Sequence, residues 1–254
     1  MTEVLMAEDA SYKTIKVDHH GTHVQVTLWR ADVRNAIDAV MVAELHDLCA
    51  RLEDRPSALI VTGAGTVFAS GADLREMRER GRADALRGIN SGLFDRLAHL
   101  PMPTVAAVNG PAIGGGAELA YACDFRVASS SARFGNPEVS LGIMPAAGAC
   151  WRLRELVGTT VAREVLLAGR VLDAADALRT GLVSSVVEPD DLISAAEELV
   201  ERISRGVPLA IQLTKLALAA PAEAHPRFDD VAQAVLFETE EKRWRMTAFL
   251  ERRA

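Results

Sequence analysis

The chain has 254 residues, of which 49% are hydrophobic, 25% charged and 5% aromatic, and this composition is typical of a globular protein. Its apolar runs are far shorter than the roughly 18 residues needed to cross a membrane, and no polar low-complexity tract indicates disorder. With 28 basic and 35 acidic side chains the net charge is −7, which disfavours non-specific binding to nucleic acid.

Three cysteines, Cys49, Cys123 and Cys150, form no C-x-x-C pair, so neither a disulfide framework nor a structural zinc site is expected. The acidic start of the chain, residues 1–9, lacks the basic segment and the long apolar run of a signal peptide. We therefore expect a cytoplasmic protein that does not contact membranes.

The first predicted elements are a β-hairpin and a helix. Alternation of Val24, Val26 and Leu28 with polar residues predicts a hairpin over residues 13–29, with its turn at residues 19–21. A helix then begins after Asp38. Its apolar face is predicted to consist of Met41, Val42, Leu45, Leu48, Cys49 and Leu52.

Helices and strands alternate through the middle of the chain. The predicted elements are a strand over residues 58–62, helices over 73–87 and 90–100, a strand over 104–108, a glycine-rich turn over 110–116, a helix from about 117 and a strand over 124–128. This alternation is typical of a parallel α/β arrangement.

Beyond about residue 190 only helices are predicted. Asp190 and Asp191 cap the first, Pro208 begins the second, and the third runs from Phe228 to Arg252. We therefore expect an α/β core over residues 1–195 and a C-terminal helical region over residues 196–254.

Three histidines, His19, His20 and His23, lie at the predicted hairpin turn without a neighbouring cysteine. Exposed turn residues are a simpler interpretation of this group than a metal site. No metal is expected.

The feature with the clearest chemical potential is Gly114-Gly115-Gly116, which joins a buried strand to a helix. Glycines let a ligand approach the backbone closely, and the free N–H groups at a helix start favour developing negative charge. Glu118 lies in the first turn, where an acidic residue is favourable to the helix dipole in any case. The alternative interpretation is a tight packing turn.

Two further loops have a similar character. Residues 68–74 also lead into a helix start, so they could supply a second backbone N–H and complete an oxyanion hole. Residues 134–145 place Glu138 after Pro137 in an apolar stretch. A carboxyl there is either a solvated loop group or a tuned acid or base.

In order and spacing, these three segments resemble the crotonase family, also called the enoyl-CoA hydratase/isomerase family. The resemblance covers essentially the whole chain. It is carried by residues 34–37, 68–74, 106–124, 134–145, 167–170, 181–183 and 249–253. It implies an α/β fold of ββα units wound into a spiral, with C-terminal helices that assemble homotrimers or dimers of trimers. It also implies acyl-CoA substrates and no cofactor, since coenzyme A is part of the substrate.

The resemblance further implies roles for individual residues. Ala72 and Gly115 match the positions whose N–H groups form the oxyanion hole of the family. Glu118 matches the residue that positions and activates water, and Glu138 matches the donor of a proton to the α-carbon. The other substrate-binding positions are Arg34 and Ala36 beside the coenzyme A, Asp73 and Leu74 along the groove, and Gly114, Pro137 and Ala146.

The sequence departs from the family pattern at residues 146–151, where Ala-Ala-Gly-Ala-Cys-Trp replaces a pattern close to Gly-x-Gly-Gly-Thr-Gln. Ala146 adds a methyl group beside the water position and restricts φ. Trp151 is a bulky residue beside the expected acyl pocket, and it either fills the pocket or points away from it. These changes would affect the acyl chain length that the protein accepts and the rate of hydration.

Two carboxyls beside an oxyanion hole favour a 2-enoyl-CoA hydratase. Water must lose a proton as it attacks the β-carbon, and the α-carbon must gain one. Two alternatives stay open at this point. One is another reaction of the family, as in an enoyl-CoA isomerase or an acyl-CoA hydrolase, and the other is a non-catalytic acyl-CoA-binding protein.

Overall fold

A computed structural model describes residues 12–252. The signal-peptide prediction for residues 1–9 lies outside the described residues. The first residues of the predicted α/β core, the last residues of the predicted helical region and residue 253 of the family resemblance also lie outside the described residues. Across residues 12–252, every helix is too short or too polar to span a lipid bilayer.

The strands are Ile15–His19 (β1), His23–Leu28 (β2), Ala58–Gly63 (β3), Thr104–Val108 (β4), Pro111–Ile113 (β5), Phe125–Ser129 (β6), Arg133–Gly135 (β7), Leu172–Asp173 (β8) and Ser185–Val187 (β9). The helices are Ala39–Asp54 (α1), Leu74–Glu79 (α2), Arg82–Leu86 (α3), Ile89–Ala98 (α4), Gly115–Ala122 (α5), Ala149–Ala168 (α6), Ala174–Arg179 (α7), Leu192–Ser204 (α8), Pro208–Ala219 (α9), Arg227–Phe237 (α10) and Glu240–Glu251 (α11).

Two sheets organise these strands. The larger has the order β1-β2-β3-β4-β6-β9, and the smaller has the order β5-β7-β8. In the larger sheet only the β1–β2 hairpin is antiparallel, and the following pairs are parallel. The predicted hairpin and the predicted parallel α/β arrangement are both confirmed.

Both faces of the larger sheet are covered. Alternate residues of a strand point to opposite faces, so Leu59 and Val61 of β3 join the main core with α1, α4 and α5. Ile60 of β3 and Val105 of β4 face the other way and pack against α8. A parallel sheet needs such cover on each side.

Helix α1 shows how closely the sequence pattern was followed. The Asp38 carboxylate caps it by accepting from the Met41 N–H at 2.8 Å. The six residues predicted for its apolar face are its buried residues. That prediction is confirmed.

Two long helices were predicted where the structure has pairs of shorter ones. The helix expected over residues 73–87 is α2 and α3, separated at Arg80 and Gly81, and Gly81 begins α3 as its N-cap. The helix expected over residues 228–252 is α10 and α11. These are separated because the Thr239 hydroxyl accepts from the Lys242 N–H at 3.3 Å and starts a new helix.

The predicted glycine-rich turn over residues 110–116 is also more ordered than expected. Its first half contains strand β5, which pairs with β7. Helix α5 begins at Gly115 rather than near Ala117, so Gly115 and Gly116 belong to its first turn. A free N–H at Gly115 is therefore a helix-terminal group.

The C-terminal part of the chain falls into two kinds of helix. Helix α8 crosses the expected division at residues 195 and 196 and packs on the sheet. Among the described residues of α9, α10 and α11, none is buried. Their exposed apolar side chains include Leu216, Leu218, Val231, Val235, Phe237, Trp244 and Leu250.

Candidate active site

A cavity of about 890 Å³ lies where the loops after β3, β5 and β7 meet. Its wall includes Ala72, Leu74, Gly114, Gly115, Glu118, Pro137, Glu138 and Ala146. Eight of the eleven positions expected from the resemblance therefore line one space. A cavity of this size, with a few polar groups in an apolar wall, is typical of a small-molecule site.

The glycine triplet is required by close contacts. Gly114 has φ +55°, and a Cβ on it would lie 3.0 Å from Glu138 Oε1. A Cβ on Gly116 would lie 2.1 Å from the Ala69 carbonyl oxygen, which is a clash with backbone. The alternative interpretation of the triplet as a tight packing turn therefore applies at Gly116, where the close contact with Ala69 fixes the cavity wall.

Two backbone N–H groups lie side by side at the cavity. A Cβ on Gly115 would be 3.3 Å from the Ala72 nitrogen, and one on Gly71 would be 3.4 Å from the Gly115 nitrogen. Ile37 bonds to Gly71 and to Asp73 but leaves Ala72 between them unused. Within residues 12–252, no backbone carbonyl accepts from the Ala72 or Gly115 N–H. Both donors are thus available to one ligand oxygen.

Glu118 projects from the first turn of α5 and is only 3% exposed. Its Oε1 accepts from the Ala147 N–H at 2.8 Å and from the Ala149 N–H at 3.1 Å. Burial, with a smaller contribution from nearby Glu138, raises the pKa of Glu118 to about 7 against the opposing effect of the two N–H bonds. Burial therefore favours the protonated form of Glu118, and the two N–H bonds favour the ionised form.

Glu138 follows β7 and is 8% exposed. Its Oε1 accepts from Asn136 Nδ2 at 3.4 Å, and the Tyr121 hydroxyl donates to Asn136 Oδ1 at 3.2 Å. Among the described residues, nothing hydrogen-bonds to the buried Oε2 of Glu138. Burial raises the pKa of Glu138, and the bond from Asn136 lowers it by a smaller amount. An unpaired buried carboxyl oxygen favours the protonated form.

Three expected site residues do not reach the cavity wall. Asp73 caps α2 and pairs with Arg30 at 3.5 Å, and the Ala36 carbonyl also accepts from Arg30. The Arg34 carbonyl accepts from the Ser70 N–H at 3.0 Å. Their segment therefore holds the loop at residues 70–73 from behind.

The sequence leaves open whether Trp151 fills the acyl pocket or points away from it, and in the structure it points away. Its side chain is 42% exposed and does not line the cavity. It packs instead against the guanidinium of Arg152, 4.9 Å from the ring centre. Because Trp151 lies on α6, it turns outward while Ala146 and Ala147 of the preceding loop face the cavity.

Sequence reasoning missed three polar residues around the cavity. Asn136 holds Glu138, and Asn90 lines the cavity with a buried Oδ1 that has no partner among the described residues. Arg152 pairs with Asp95 at 3.2 Å and covers Gly148, where a Cβ would be 2.3 Å from its Nη1. Only Asn136, two residues before Glu138, had a position in the sequence that could have drawn attention.

Among the described residues of the cavity wall, no three metal-ligating side chains lie close enough together to share an ion. In the part of the chain that the structure describes, the only cluster of three histidine, cysteine or acidic side chains lies outside the cavity wall. With two adjacent N–H donors and two carboxyls of raised pKa, the cavity is suited to reactions in which an oxygen gains negative charge while protons move.

Comparison with known proteins gives a consistent result. A family model described as enoyl-CoA hydratase/isomerase matches residues 19–254. A short-chain-enoyl-CoA hydratase of Clostridium acetobutylicum is 38% identical over 248 residues, which are 93% of this chain and 94% of that protein. A crotonyl-CoA hydratase of Syntrophomonas wolfei is 34% identical over 96% of this chain and 97% of that protein.

A solved structure shows the same likeness in three dimensions. The crystal structure of an enoyl-CoA hydratase from Bacillus anthracis matches with a TM-score of 0.89 at 31% identity. The match covers 94% of this chain and 97% of that one. The resemblance read from the sequence is thereby confirmed, together with the fold class, over nearly the whole chain.

Proposed function

The chain belongs to the enoyl-CoA hydratase/isomerase family, and from this membership we propose that it adds water reversibly across the 2,3 double bond of trans-2-enoyl-CoA thioesters in the cavity described above. It is an enoyl-CoA hydratase, a hydro-lyase that acts on acyl-CoA. The observation that carries the assignment of residues is the meeting of two free N–H groups and two buried carboxyls in one cavity.

The N–H groups of Ala72 and Gly115 form the oxyanion hole in this proposal. Attack of water on the β-carbon pushes electrons onto the thioester oxygen, which becomes an enolate. Donors that are already in place lose nothing by reorganising at that moment, and each is typically worth about 2.7–4 kcal/mol of transition-state stabilisation. The first turn of α5 adds a favourable dipole at the same point.

Glu118 is the base and Glu138 is the acid. Glu118 takes a proton from water while the hydroxyl oxygen bonds to the β-carbon, and Glu138 delivers a proton to the α-carbon. The two N–H bonds to Oε1 favour the ionised form of Glu118 against the effect of its burial, whereas the unpaired Oε2 favours the protonated form of Glu138. Transfer of the proton from Glu118 back to Glu138 through solvent restores the starting state.

The proposal extends to the surroundings of the enzyme. No cofactor takes part, since coenzyme A arrives with the substrate. The exposed apolar side chains on α9, α10 and α11 support assembly into a homotrimer or a dimer of trimers. Three free cysteines are compatible with a reducing compartment such as the cytoplasm.

The test follows the loss of enoyl absorbance with trans-2-enoyl-CoA substrates of several chain lengths. Glu118→Gln and Glu138→Gln are each expected to lower kcat by roughly 10²–10⁴-fold, the usual contribution of a positioned acid or base. Glu155→Gln changes an exposed glutamate on α6 and serves as the matched control. Saturable binding without hydration at any chain length would overturn the proposal. A shifted double bond or released coenzyme A would instead identify the isomerase or hydrolase.

A further inference from the structure

Outside the cavity, three side chains from distant parts of the chain gather between the β1–β2 hairpin and α8. They are His20, His23 and Glu197, and one potential ligand atom of each lies within 4.8 Å of the other two. In residues 12–252 no other group of three histidine, cysteine or acidic side chains meets this criterion. The sequence could not indicate it, because Glu197 is 174 positions beyond His23 in the chain.

His23 is the anchor of the group, and it corrects the expectation of an exposed turn residue. It begins β2 and is 4% exposed. Its Nδ1 lies 3.3 Å from the Thr22 hydroxyl. Its Nε2 is buried without a hydrogen-bond partner among the described residues, since Glu197 Oε1 is 3.9 Å away and too distant to bond. A buried imidazole nitrogen in this state needs a partner.

The other two side chains have the freedom to supply one. His20 is exposed in the turn and stacks on His23, with 4.5 Å between ring centroids. The Glu197 side chain is 37% exposed on α8. Nitrogen and oxygen ligands of zinc lie about 2.0–2.2 Å from the ion, so they are separated by about 3.4 Å in a tetrahedron. To reach that spacing, His20 must rotate out of the stack and Glu197 must rotate toward His23.

We propose that His20, His23 and Glu197 form a binding site for one divalent transition-metal ion of the zinc class, which joins the β1–β2 hairpin to α8. Two imidazoles and one carboxylate suit Zn²⁺, Co²⁺ or Ni²⁺, whereas Ca²⁺ and Mg²⁺ prefer oxygen ligands throughout. Water fills the remaining coordination position.

This site is separate from the proposed hydratase reaction. Val24 and Val26 point into the main core, so the alternation of β2 turns His23 to the opposite face of the sheet, the face that α8 covers. Glu118 belongs to α5, which packs in the main core. Metal binding therefore stabilises the fold without entering the chemistry, and the proposal stands or falls independently of the hydratase function.

The test uses the full chain without a histidine tag, freed of metal by a chelator and titrated with ZnCl₂ by calorimetry and by thermal unfolding. We expect one ion per chain and a rise in Tm. His20→Asn and Glu197→Gln are expected to weaken Zn²⁺ binding at least about tenfold, as losses of even indirect metal partners do. His19→Asn, in the same turn but outside the group, is the matched control and binds as the unchanged chain does.

Two further readouts separate a built site from surface binding. Co²⁺ in the site should give the visible absorption of low-coordinate cobalt, and His20→Asn should remove it, while CaCl₂ and MgCl₂ leave Tm unchanged. Hydration activity should be the same in the three variants, which shows that they are folded. The proposal would be overturned if several ions bound per chain, if all variants bound Zn²⁺ equally, or if Zn²⁺ left Tm unchanged. Any of these results would indicate an adventitious ion only.

Discussion

The apolar side chains of helix α8 are buried, whereas those of the three helices that follow it are exposed. Leu192, Ala196, Leu199 and Val200 of α8 are buried against the sheet. In α9, α10 and α11 no described residue is buried, and Leu218 and Trp244 are 84% and 66% exposed. The apolar face of α8 is therefore covered within one chain, whereas the last helices expose apolar side chains, a feature that is common at protein–protein interfaces.

If the core carries the chemistry alone, a change there should remove activity without changing association. Gly115→Ala places a methyl group 3.3 Å from the Ala72 nitrogen, in the space proposed for the thioester oxygen. We expect kcat/KM to fall about 10²–10³-fold, as for loss of one oxyanion donor. The rate of enoyl-CoA hydration measures this, and light scattering checks that the oligomeric mass is unchanged.

The control for that change is another helical glycine. A Cβ on Gly92 would meet nothing within 4 Å, so Gly92→Ala should keep full activity and gain up to about 1 kcal/mol of stability. Activity of Gly115→Ala within tenfold of the unchanged enzyme would argue against a hole at this position.

The core also contains a buried carboxyl group, Glu118, whose ionisation opposes folding. Because burial raises the pKa of Glu118 from 4.5 to about 7, the folded state favours the protonated form. The contribution of Glu118 to stability is therefore fully present below pH 4.5 and is lost as the pH rises through about 7. Glu118→Gln removes this loss, which at about 1.36 kcal/mol per pH unit amounts to at most about 3 kcal/mol above pH 7.

Urea unfolding at pH 5 and pH 8 measures that effect. The variant should gain stability over the unchanged chain at pH 8 and gain much less at pH 5. Glu155→Gln, on the exposed side of α6, should show no such dependence. An equal gain at both pH values would contradict a raised pKa at Glu118.

Within the core, changing a residue that positions Glu138 should lower the rate less than changing Glu138 itself. Asn136→Leu removes the donor to Glu138 Oε1 and leaves the Tyr121 hydroxyl without its acceptor. Loss of a buried hydrogen bond costs about 1–3 kcal/mol, which corresponds to roughly 5–150-fold in rate if it is lost from the transition state. We expect kcat to fall by this factor with KM nearly unchanged and with a shifted pH profile. A change in KM alone would show that Asn136 serves only substrate binding.

The C-terminal helices provide the smallest expected effect. Leu218→Glu places a charge on the exposed face of α9, where burial of leucine in an interface would contribute about 1.5–3 kcal/mol. We expect dissociation toward single chains at low micromolar concentration, measured by light scattering. Leu86→Glu is the control, since Leu86 is similarly exposed but lies on α3. Identical masses for both variants and the unchanged chain would locate the interface elsewhere.

The sequence predicted elements well where local periodicity decides the structure. The hairpin and the buried face of α1 follow from spacings of two and of three to four residues. The breaks at Gly81 and Thr239 were missed because a short interruption of a helix leaves the spacing of its apolar residues almost unchanged. The two surfaces of the C-terminal part could not be distinguished, since an amphipathic pattern is the same whether its partner is the same chain or another.

The site divides in the same way. Ala72, Gly115, Glu118 and Glu138 were named from motifs, and the structure brings them to one cavity. Asn90 was not recognised because its place depends on the packing of α4 beside the glycine turn. His23 and Glu197 meet only through the stacking of α8 on the sheet. Contacts made across the fold leave no local pattern in a single sequence.

The two N–H bonds to the Glu118 carboxylate link the pKa of this proposed base to the shape of the cavity wall. Both N–H groups that hold its carboxylate come from residues 147–149, and the loop at residues 146–147 is itself part of the cavity wall. An acyl group that displaces this loop lengthens those bonds and changes the proton affinity of the base. If Glu118 is the base as proposed, we expect such a substrate to bind but to react slowly, so that selection among acyl chains acts on turnover rather than on binding.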